Sequence, residues 1–102
     1  MQKRVKNKGK LYQRRLFGVS VFDREDKEPS RFAFVVSTKI SKQAVQRNRM
    51  KRAMSESIRH TRTRMKDGFD VIFLTKKIMA RSLTDEIMRE VEIAVKQANL
   101  MK

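Results

Sequence analysis

The order of predicted elements in the middle of the chain is the feature that most limits the folds open to this sequence. Residues 31–37 alternate like a β-strand, a helix is predicted from about residue 42 to residue 65 with Ser41 as its N-cap, and Phe69–Thr75 is a nearly continuous apolar strand. Parallel strands need a crossover connection, usually a helix. The sequence therefore predicts a parallel pair of strands connected by this central helix.

The first part of the chain is predicted to supply the rest of the sheet. Residues 11–13 and 16–22 are extended in pattern, and a polar loop over residues 23–30 leads to the strand at 31–37. We expect residues 16–22 and 31–37 to pair as a hairpin with a long connection. Period-two alternation predicts a core face made of Phe17, Val19, Val21, Phe32, Phe34 and Val36. The opposite face carries the mostly small residues Gly18, Ser20, Ala33 and Val35, which either admit a ligand backbone or are covered by the N-terminal arm.

A second helix is predicted at the end of the chain. Residues 82–85, Ser-Leu-Thr-Asp, are typical of a capping box, and an apolar stripe follows at helical spacing: Leu83, Ile87, Val91, Ala94, Ala98 and Met101. Because the charges on this helix nearly balance, we expect it to be structural.

Together these elements predict an α+β fold. We expect a two-layer α/β sandwich with a small mixed sheet (a hairpin plus a parallel strand), a basic crossover helix and a C-terminal amphipathic helix. One domain is expected over residues 1–102, in which residues 1–10 form a basic arm or the remainder of a first helix.

The positive charge of the chain is concentrated in two segments. The sequence has 26 basic and 11 acidic residues, for a net charge of +15. Residues 1–15 hold seven basic residues and no acid, and residues 39–66 hold ten basic residues and one acid, Glu56. Such concentration raises the local potential and attracts a polyanion. Nucleic acid is therefore favoured as the partner over an anionic membrane or an acidic protein.

Composition excludes several classes of site. There is no Cys, so disulfides and thiolate metal sites are excluded, and the single His60 has no second ligand for zinc and no place in a catalytic triad. His60 is expected to be a solvated helix residue. No apolar run approaches the ~20 residues of a membrane span, and the basic N-terminus lacks the apolar stretch of a secretory signal. The acids are dispersed, which argues against a nuclease that gathers carboxylates around metal ions.

The candidate binding residues lie around the start of the central helix. Its apolar face is predicted to hold Met50, Ala53, Met54, Ser57, Ile58, Thr61 and Met65, which leaves the basic side chains on the other side. Arginine forks suit phosphate oxygens and stack on bases, and an Asn can donate to and accept from a base edge or a 2′-hydroxyl. Lysines before the helix add charge beside its free N–H groups, which also favour phosphate. The predicted contacts are Lys39, Lys42, Arg47, Asn48, Arg49, Lys51 and Arg52.

The same residues carry a resemblance to a known family. Residues 37–52, STKISKQAVQRNRMKR, resemble the signature of the protein subunit of bacterial ribonuclease P, and the likeness extends to the Gly-Phe-Asp-Val-Ile of residues 68–72. It covers about residues 5–100. The resemblance implies a left-handed strand–helix–strand crossover and a cytoplasmic protein that assists a catalytic RNA in removing the 5′ leader of precursor tRNA.

The resemblance also assigns roles to residues. It implies that no residue of this chain is catalytic, that Mg²⁺ acts through the RNA subunit, and that the partners are ribonuclease P RNA and precursor tRNA, with no membrane and no obligate protein partner. Under it, the seven predicted contacts bind the catalytic RNA, and the open sheet face binds the leader through Gly18, Ser20, Ala33 and Val35.

Three departures from the family pattern bear on the leader contacts. Ser41 stands where Gly is common, Ser20 stands where an aromatic residue of the groove is frequent, and residues 1–10 contain little of the family's longer first helix. A structural RNA-binding protein of ribosomal or RNA-chaperone type stays open as an alternative. A DNA-binding module also stays open, because phosphate contacts alone do not distinguish DNA from RNA.

Overall fold

The computed structural model describes residues 9–102, so most of the predicted N-terminal arm over residues 1–10 lies outside the described residues. Within residues 9–102 there are four strands and two α-helices: β1 (Gly9–Gln13), β2 (Phe17–Asp23), β3 (Arg31–Val35), α1 (Ala44–Thr61), β4 (Phe69–Thr75) and α2 (Thr84–Gln97). Short 3-10 turns follow α1 at Arg62–Arg64 and precede α2 at Lys77–Arg81.

The four strands form one mixed sheet in the order β1-β2-β4-β3. β3 and β4 are parallel and are joined through α1, which confirms the predicted parallel pair. The predicted hairpin between β2 and β3 is wrong, because β2 pairs antiparallel with β1 on one side and with β4 on the other. The hairpin is instead formed by β1 and β2.

Loop length and apolar content explain this order. The turn between β1 and β2 is short and is closed by a hydrogen bond of 2.9 Å from the Arg14 backbone N–H to the Phe17 carbonyl. The loop over residues 23–30 is long enough to carry the chain past the place of β4 to the far edge of the sheet. β4 is the most continuously apolar strand, and it takes a central position with a neighbour on each side.

The predicted assignment of residues to the two faces of the sheet is confirmed. On the inner face Val19 and Phe34 both lie opposite Phe73, and the Phe17 and Phe73 rings pack edge to face with centroids 5.3 Å apart. On the outer face Ser20 and Ala33 both lie opposite Ile72, and Gly18 and Val35 lie opposite Leu74. The core therefore lies between the inner face and the helices.

Helix α1 presents the predicted apolar face to this core. Its buried residues are Met50, Ala53, Met54, Ser57, Ile58 and Thr61, and Met65 is also buried just beyond it. Full burial of each large apolar side chain contributes about 1.5–3 kcal/mol. The predicted N-cap is wrong: Gln43 occupies that position, while the Ser41 hydroxyl accepts from the Gln43 N–H at 3.2 Å and donates to Gln46 Oε1 at 2.6 Å.

Helix α2 covers the other part of the inner face. Ile87, Val91, Ala94 and Ala98 are buried as predicted. The predicted capping box is wrong, because the Ser82 hydroxyl donates to the Ile78 carbonyl at 3.1 Å and so closes the preceding 3-10 turn instead. Leu83 then occupies the N-cap position, where its side chain is 75% exposed rather than part of the stripe.

Candidate nucleic-acid interface

Helix α1 exposes a polar ridge between Asn48 and Arg59. Residues three and four positions apart share one side of a helix, and here that side points to solvent and holds Asn48, Lys51, Arg52, Ser55 and Arg59. We call these five residues the α1 ridge. Because the opposite side of α1 is fixed in the core, the ridge is a preorganised surface with two adjacent cations, Lys51 and Arg52, about two turns from the start of the helix.

Two predicted contact residues, Arg47 and Arg49, lie on the flanks of the ridge and are half-buried. The guanidinium of Arg47 donates from Nη1 to the Ser41 carbonyl at 2.8 Å and so secures the loop before α1. Arg49 donates from Nη1 to the Ser82 carbonyl at 3.2 Å and from Nη2 to the Ala80 carbonyl at 3.3 Å. A guanidinium has five N–H donors, so each arginine keeps donors for a partner while it anchors a neighbouring segment.

The other predicted cations lie before the helix. Lys39 and Lys42 are both exposed in the segment that leads into α1. The first turn of α1 has no acidic residue, and no side chain caps it. Its N–H groups and dipole therefore add to the positive potential of these lysines.

Charge on the ridge is largely unmatched by acids. Among ion pairs between residues 9 and 102, none involves Lys39, Lys42, Lys51 or Arg52. Glu56 pairs with Arg59, which donates from Nη2 to Glu56 Oε2 at 3.0 Å. This hydrogen bond from Arg59 lowers the pKa of Glu56, so the carboxylate stays ionised. Among the arginines of α1, it pairs with Arg59 alone.

The outer face of the sheet is a second candidate surface. The predicted small residues are present on it, but Ile72 and Leu74 lie between them and are 39% and 43% exposed. The face is therefore aliphatic rather than bare. Gly18 itself is buried beneath the Gln13 side chain, since a Cβ on Gly18 would lie 3.3 Å from Gln13 Oε1.

A charged cluster closes one end of the outer face. Asp70 accepts from Arg24 Nη1 at 2.7 Å and from Arg31 Nε at 3.1 Å. Arg24 also donates to the Pro29 carbonyl at 2.9 Å, so it holds the loop over residues 23–30 against the sheet. An open cavity of about 250 Å³ lies beside this cluster and is lined by Arg31, Phe32, Ala33, Asp70, Val71 and Ile72.

Two structural observations bear on metal and membrane binding. Residues 9–102 bring together no group of three or more Asp, Glu, His or Cys side chains that could hold a metal ion. Neither α1 nor α2, the α-helices of the described part, has the length and apolar character to cross a membrane.

The sequence of this chain matches those of known proteins. The sequence profile of the family Ribonuclease P matches residues 3–99. The chain belongs to the ribonuclease P protein family. A ribonuclease P protein component from Synechocystis sp. is 31% identical over 97 residues, which cover 95% of this chain and 78% of that protein. Another, from Caldanaerobacter subterraneus, is 32% identical over 98 residues, which cover 96% of this chain and 83% of the relative.

Solved structures of ribonuclease P proteins have the same fold. The protein from Staphylococcus aureus superposes with a TM-score of 0.85 at 25% identity, covering 99% of this chain and 91% of that one. The protein from Thermotoga maritima gives a TM-score of 0.78 at 24% identity, covering 91% of this chain and 86% of that one. This ribonuclease P protein therefore has the mixed four-stranded sheet and helices of its family.

Sequence reasoning missed three features of these surfaces. It did not place Ile72 and Leu74 on the outer face, although the alternation within Phe69–Thr75 carries that signal once the inner residues are known. It did not predict that Arg49 anchors the turn before α2, 31 to 35 residues further along the chain. It also did not predict the 3-10 turn at Lys77–Arg81, for which no apolar periodicity exists.

Proposed function

We propose that this chain is the protein component of a ribonuclease P, which binds the ribonuclease P RNA and assists it in removing the 5′ leader of precursor tRNA in the cytoplasm. The observation that carries this proposal is the α1 ridge, where Lys51 and Arg52 are exposed and have no acidic partner among residues 9–102. Both lie within residues 37–52, the stretch that resembles the family's signature. The RNA-binding activity belongs to one domain over residues 1–102. The catalytic RNA cleaves the scissile bond, and no side chain of this protein takes part in that step.

Docking on the catalytic RNA is assigned to the start of α1 and the segment before it. Asn48, Lys51 and Arg52 are the direct contacts, since their side chains point to solvent. Lys39 and Lys42 add phosphate contacts beside the helix N-terminus. Arg47 and Arg49 act in two ways: their carbonyl contacts orient the helix, and their remaining N–H donors reach the RNA.

The physical contribution of the protein is electrostatic and positional. Each phosphate neutralised by a Lys or Arg releases condensed counterions, so binding is strong at low salt and falls as salt rises. Protein cations then replace part of the ionic screening that a folded RNA needs. Mg²⁺ is held chiefly by the RNA, where it supplies the chemistry of activating water.

Leader binding is assigned to the outer sheet face. Its residues Ser20, Ala33 and Val35 flank the exposed Ile72 and Leu74, which give apolar contacts to sugars and base edges. Gly18 is covered by the Gln13 side chain, so its role is to let Gln13 pack closely on the sheet rather than to offer an open surface to the leader. Because Ser20 replaces the frequent aromatic, we expect leader contacts that depend on shape more than on stacking.

Cleavage of precursor tRNA tests the proposal directly. A bacterial ribonuclease P RNA is incubated with substrate at low magnesium, with and without this protein. Cleavage at the 5′ end of the mature tRNA only when both are present supports the proposed function. If the protein gives no stimulation yet binds other structured RNAs equally well, it is a general RNA-binding protein and the proposal fails.

A further inference from the structure

A groove lies between the edge of the sheet and α1, beside the α1 ridge and apart from the outer face of the sheet. It has a volume of about 280 Å³ and is lined by Phe32, Phe34, Ser55, Ile58, Arg59 and Arg62. β3 is an edge strand, so α1 covers the inner side of Phe32 and Phe34 only in part, and both rings are half-buried. Both side chains pack against the core, and the Phe34 ring lies 5.4 Å from that of Phe73, but the part of each ring that stays exposed lies beside arginines and is open to a ligand.

We propose that this groove, which we call the edge groove, holds an unpaired nucleotide of the RNA on which the α1 ridge docks. This inference rests on the proposed function, because it takes the RNA to be already bound at the start of α1. Ser55 and Arg59 belong to both the ridge and the groove, so RNA that follows α1 reaches the groove without leaving the surface. The two surfaces are continuous.

The chemistry of the lining matches a nucleotide. The guanidinium carbon of Arg62 lies 5.5 Å from the centroid of the Phe32 ring, and Arg62 is held there by a hydrogen bond of 2.9 Å from Nη2 to the Ser30 carbonyl. A base stacks on a guanidinium plane or on an aromatic ring, and stacking tolerates any base because each has a π-face.

Charge favours an anionic occupant over an apolar peptide segment, and the continuity of the groove with the α1 ridge favours RNA over an acidic peptide. Two of the six lining side chains are arginines and none is acidic. Arg59 is paired with Glu56 on the neighbouring turn, which leaves the Arg62 guanidinium as the main contact for a phosphate. Ser55, which also lines the groove, is exposed and short.

Tryptophan fluorescence tests occupancy, because the chain contains no Trp. Phe32→Trp places a single reporter in the edge groove, and Tyr12→Trp places one on β1, at the other edge of the sheet. Binding of a bacterial ribonuclease P RNA is followed independently by the anisotropy of labelled RNA. Emission from the reporter at position 32 is expected to be quenched with the same midpoint as the anisotropy change, while the reporter at position 12 keeps its emission.

Three outcomes overturn the proposal in different ways. If the RNA complex forms but emission at position 32 does not change, the edge groove is empty and the proposed function survives. If no complex forms with the parent protein, both proposals fall. If emission at position 32 changes with protein concentration alone, the groove binds a second copy of the chain through the β3 edge.

Binding variants provide a second test that does not depend on the reporter. Phe32→Leu keeps an apolar side chain but removes the ring, and we expect RNA affinity to fall about tenfold, while Phe32→Tyr keeps parental affinity. Parental affinity for Phe32→Leu, or an equal loss for Phe32→Leu and Phe32→Tyr, would contradict nucleotide binding in the groove.

Discussion

The two helices use charge in opposite ways. Two of the four acids of α2 are matched by arginines from the turn between β1 and β2: Arg14 donates to Glu90 at 2.9 Å from Nη2 and at 3.2 Å from Nε, and Arg15 pairs with Glu86. The Arg14 and Glu90 side chains are only 18% and 17% exposed. On α1, Lys51 and Arg52 are exposed and have no such partner among residues 9–102. Matched charge holds the fold together, and unmatched charge is left for another molecule.

The same contrast separates the basic residues of each charged segment into those that stabilise the fold and those that are available to RNA. Arg14 and Arg15 belong to the basic N-terminal segment, yet they contact α2 and serve the tertiary structure. Arg49 belongs to the signature stretch and serves both purposes. Net charge by segment therefore overstates the surface that is free for RNA, and the ion pairs show which cations are already used.

The largest effect is expected from removing the unmatched pair. Lys51→Ala combined with Arg52→Ala should lower RNA affinity and reduce the slope of log K against log salt by about two, since each lost duplex phosphate contact removes ~0.9. Stability should change by less than about 0.5 kcal/mol, because both side chains are exposed surface residues. RNA binding measured over a range of salt concentrations checks the slope, and urea unfolding checks the stability.

The matched control for that double variant is Lys96→Ala. Lys96 is also exposed but lies in the last turn of α2, away from the proposed RNA surface. Its slope should equal that of the parent protein. A parental slope for the double variant, or an equal reduction for Lys96→Ala, would remove the α1 ridge from the interface.

The reverse pattern is expected for the matched pair. Arg14→Ala removes the hydrogen bonds to Glu90 and to Gln97 Oε1, the latter 2.7 Å long, and leaves a half-buried carboxylate without its main partner. We expect a loss of about 1–3 kcal/mol in the free energy of unfolding, measured with urea, and a parental salt slope for RNA binding. Arg15→Ala, which breaks a more exposed pair, should cost less than about 1 kcal/mol. Similar losses in both variants would show that burial does not determine how much each ion pair contributes to the free energy of unfolding.

Several features of the fold were predictable because they depend on local pattern. The buried face of α1 follows from the 3.6-residue periodicity between Met50 and Thr61, and the limits of β4 follow from its apolar run. The pairing of β2 was not predictable in this way. Alternation assigns residues to a face but does not say which strand is the neighbour, and β4 is 46 to 58 residues from β2 in the paired register.

The errors at the helix starts are of one kind. Each predicted serine lies before the N-cap position, which Gln43 and Leu83 occupy, and its hydroxyl donates to a group outside the first turn's N–H groups. The hydrogen bonds from Arg49 to backbone carbonyls were not predictable either, because the Ala80 carbonyl lies in a 3-10 turn for which the sequence has no periodic signal. The identity of the candidate binding residues was therefore predictable, but their division into exposed and anchoring residues was not.

An intermediate effect is expected at Arg49, which both anchors the turn before α2 and is proposed to contact RNA. Arg49→Lys keeps the positive charge but loses the forked donation to the Ser82 and Ala80 carbonyls. We expect a loss of about 1 kcal/mol in the free energy of unfolding and a salt slope close to that of the parent. Arg52→Lys is the matched control, since Arg52 is exposed, and its stability should be parental. Equal stability of the two variants would contradict the anchoring role of Arg49.

The smallest effect is expected from the one acid on α1. Glu56→Gln removes the only negative charge between residues 39 and 66 and frees Arg59, so RNA binding should tighten by about two- to fivefold. Glu92→Gln makes the same charge change on α2 and should leave the affinity unchanged. An equal gain in both variants would mean that only net charge matters and that the position of the unmatched cations does not.

The pH dependence of the stability of Glu56→Gln, compared with the parent, tests whether the Glu56–Arg59 pair stabilises the fold. Because the hydrogen bond from Arg59 lowers the pKa of Glu56 in the folded protein, the pair stabilises the fold above the unfolded-state pKa. That contribution is lost as pH falls through the lower, folded-state pKa. Between about pH 6 and 8 the carboxylate is ionised in both states, so the difference in urea midpoint between parent and Glu56→Gln should be constant there. It should shrink toward zero in acid, and a difference that grows as pH falls would show that Glu56 is not stabilised as a carboxylate.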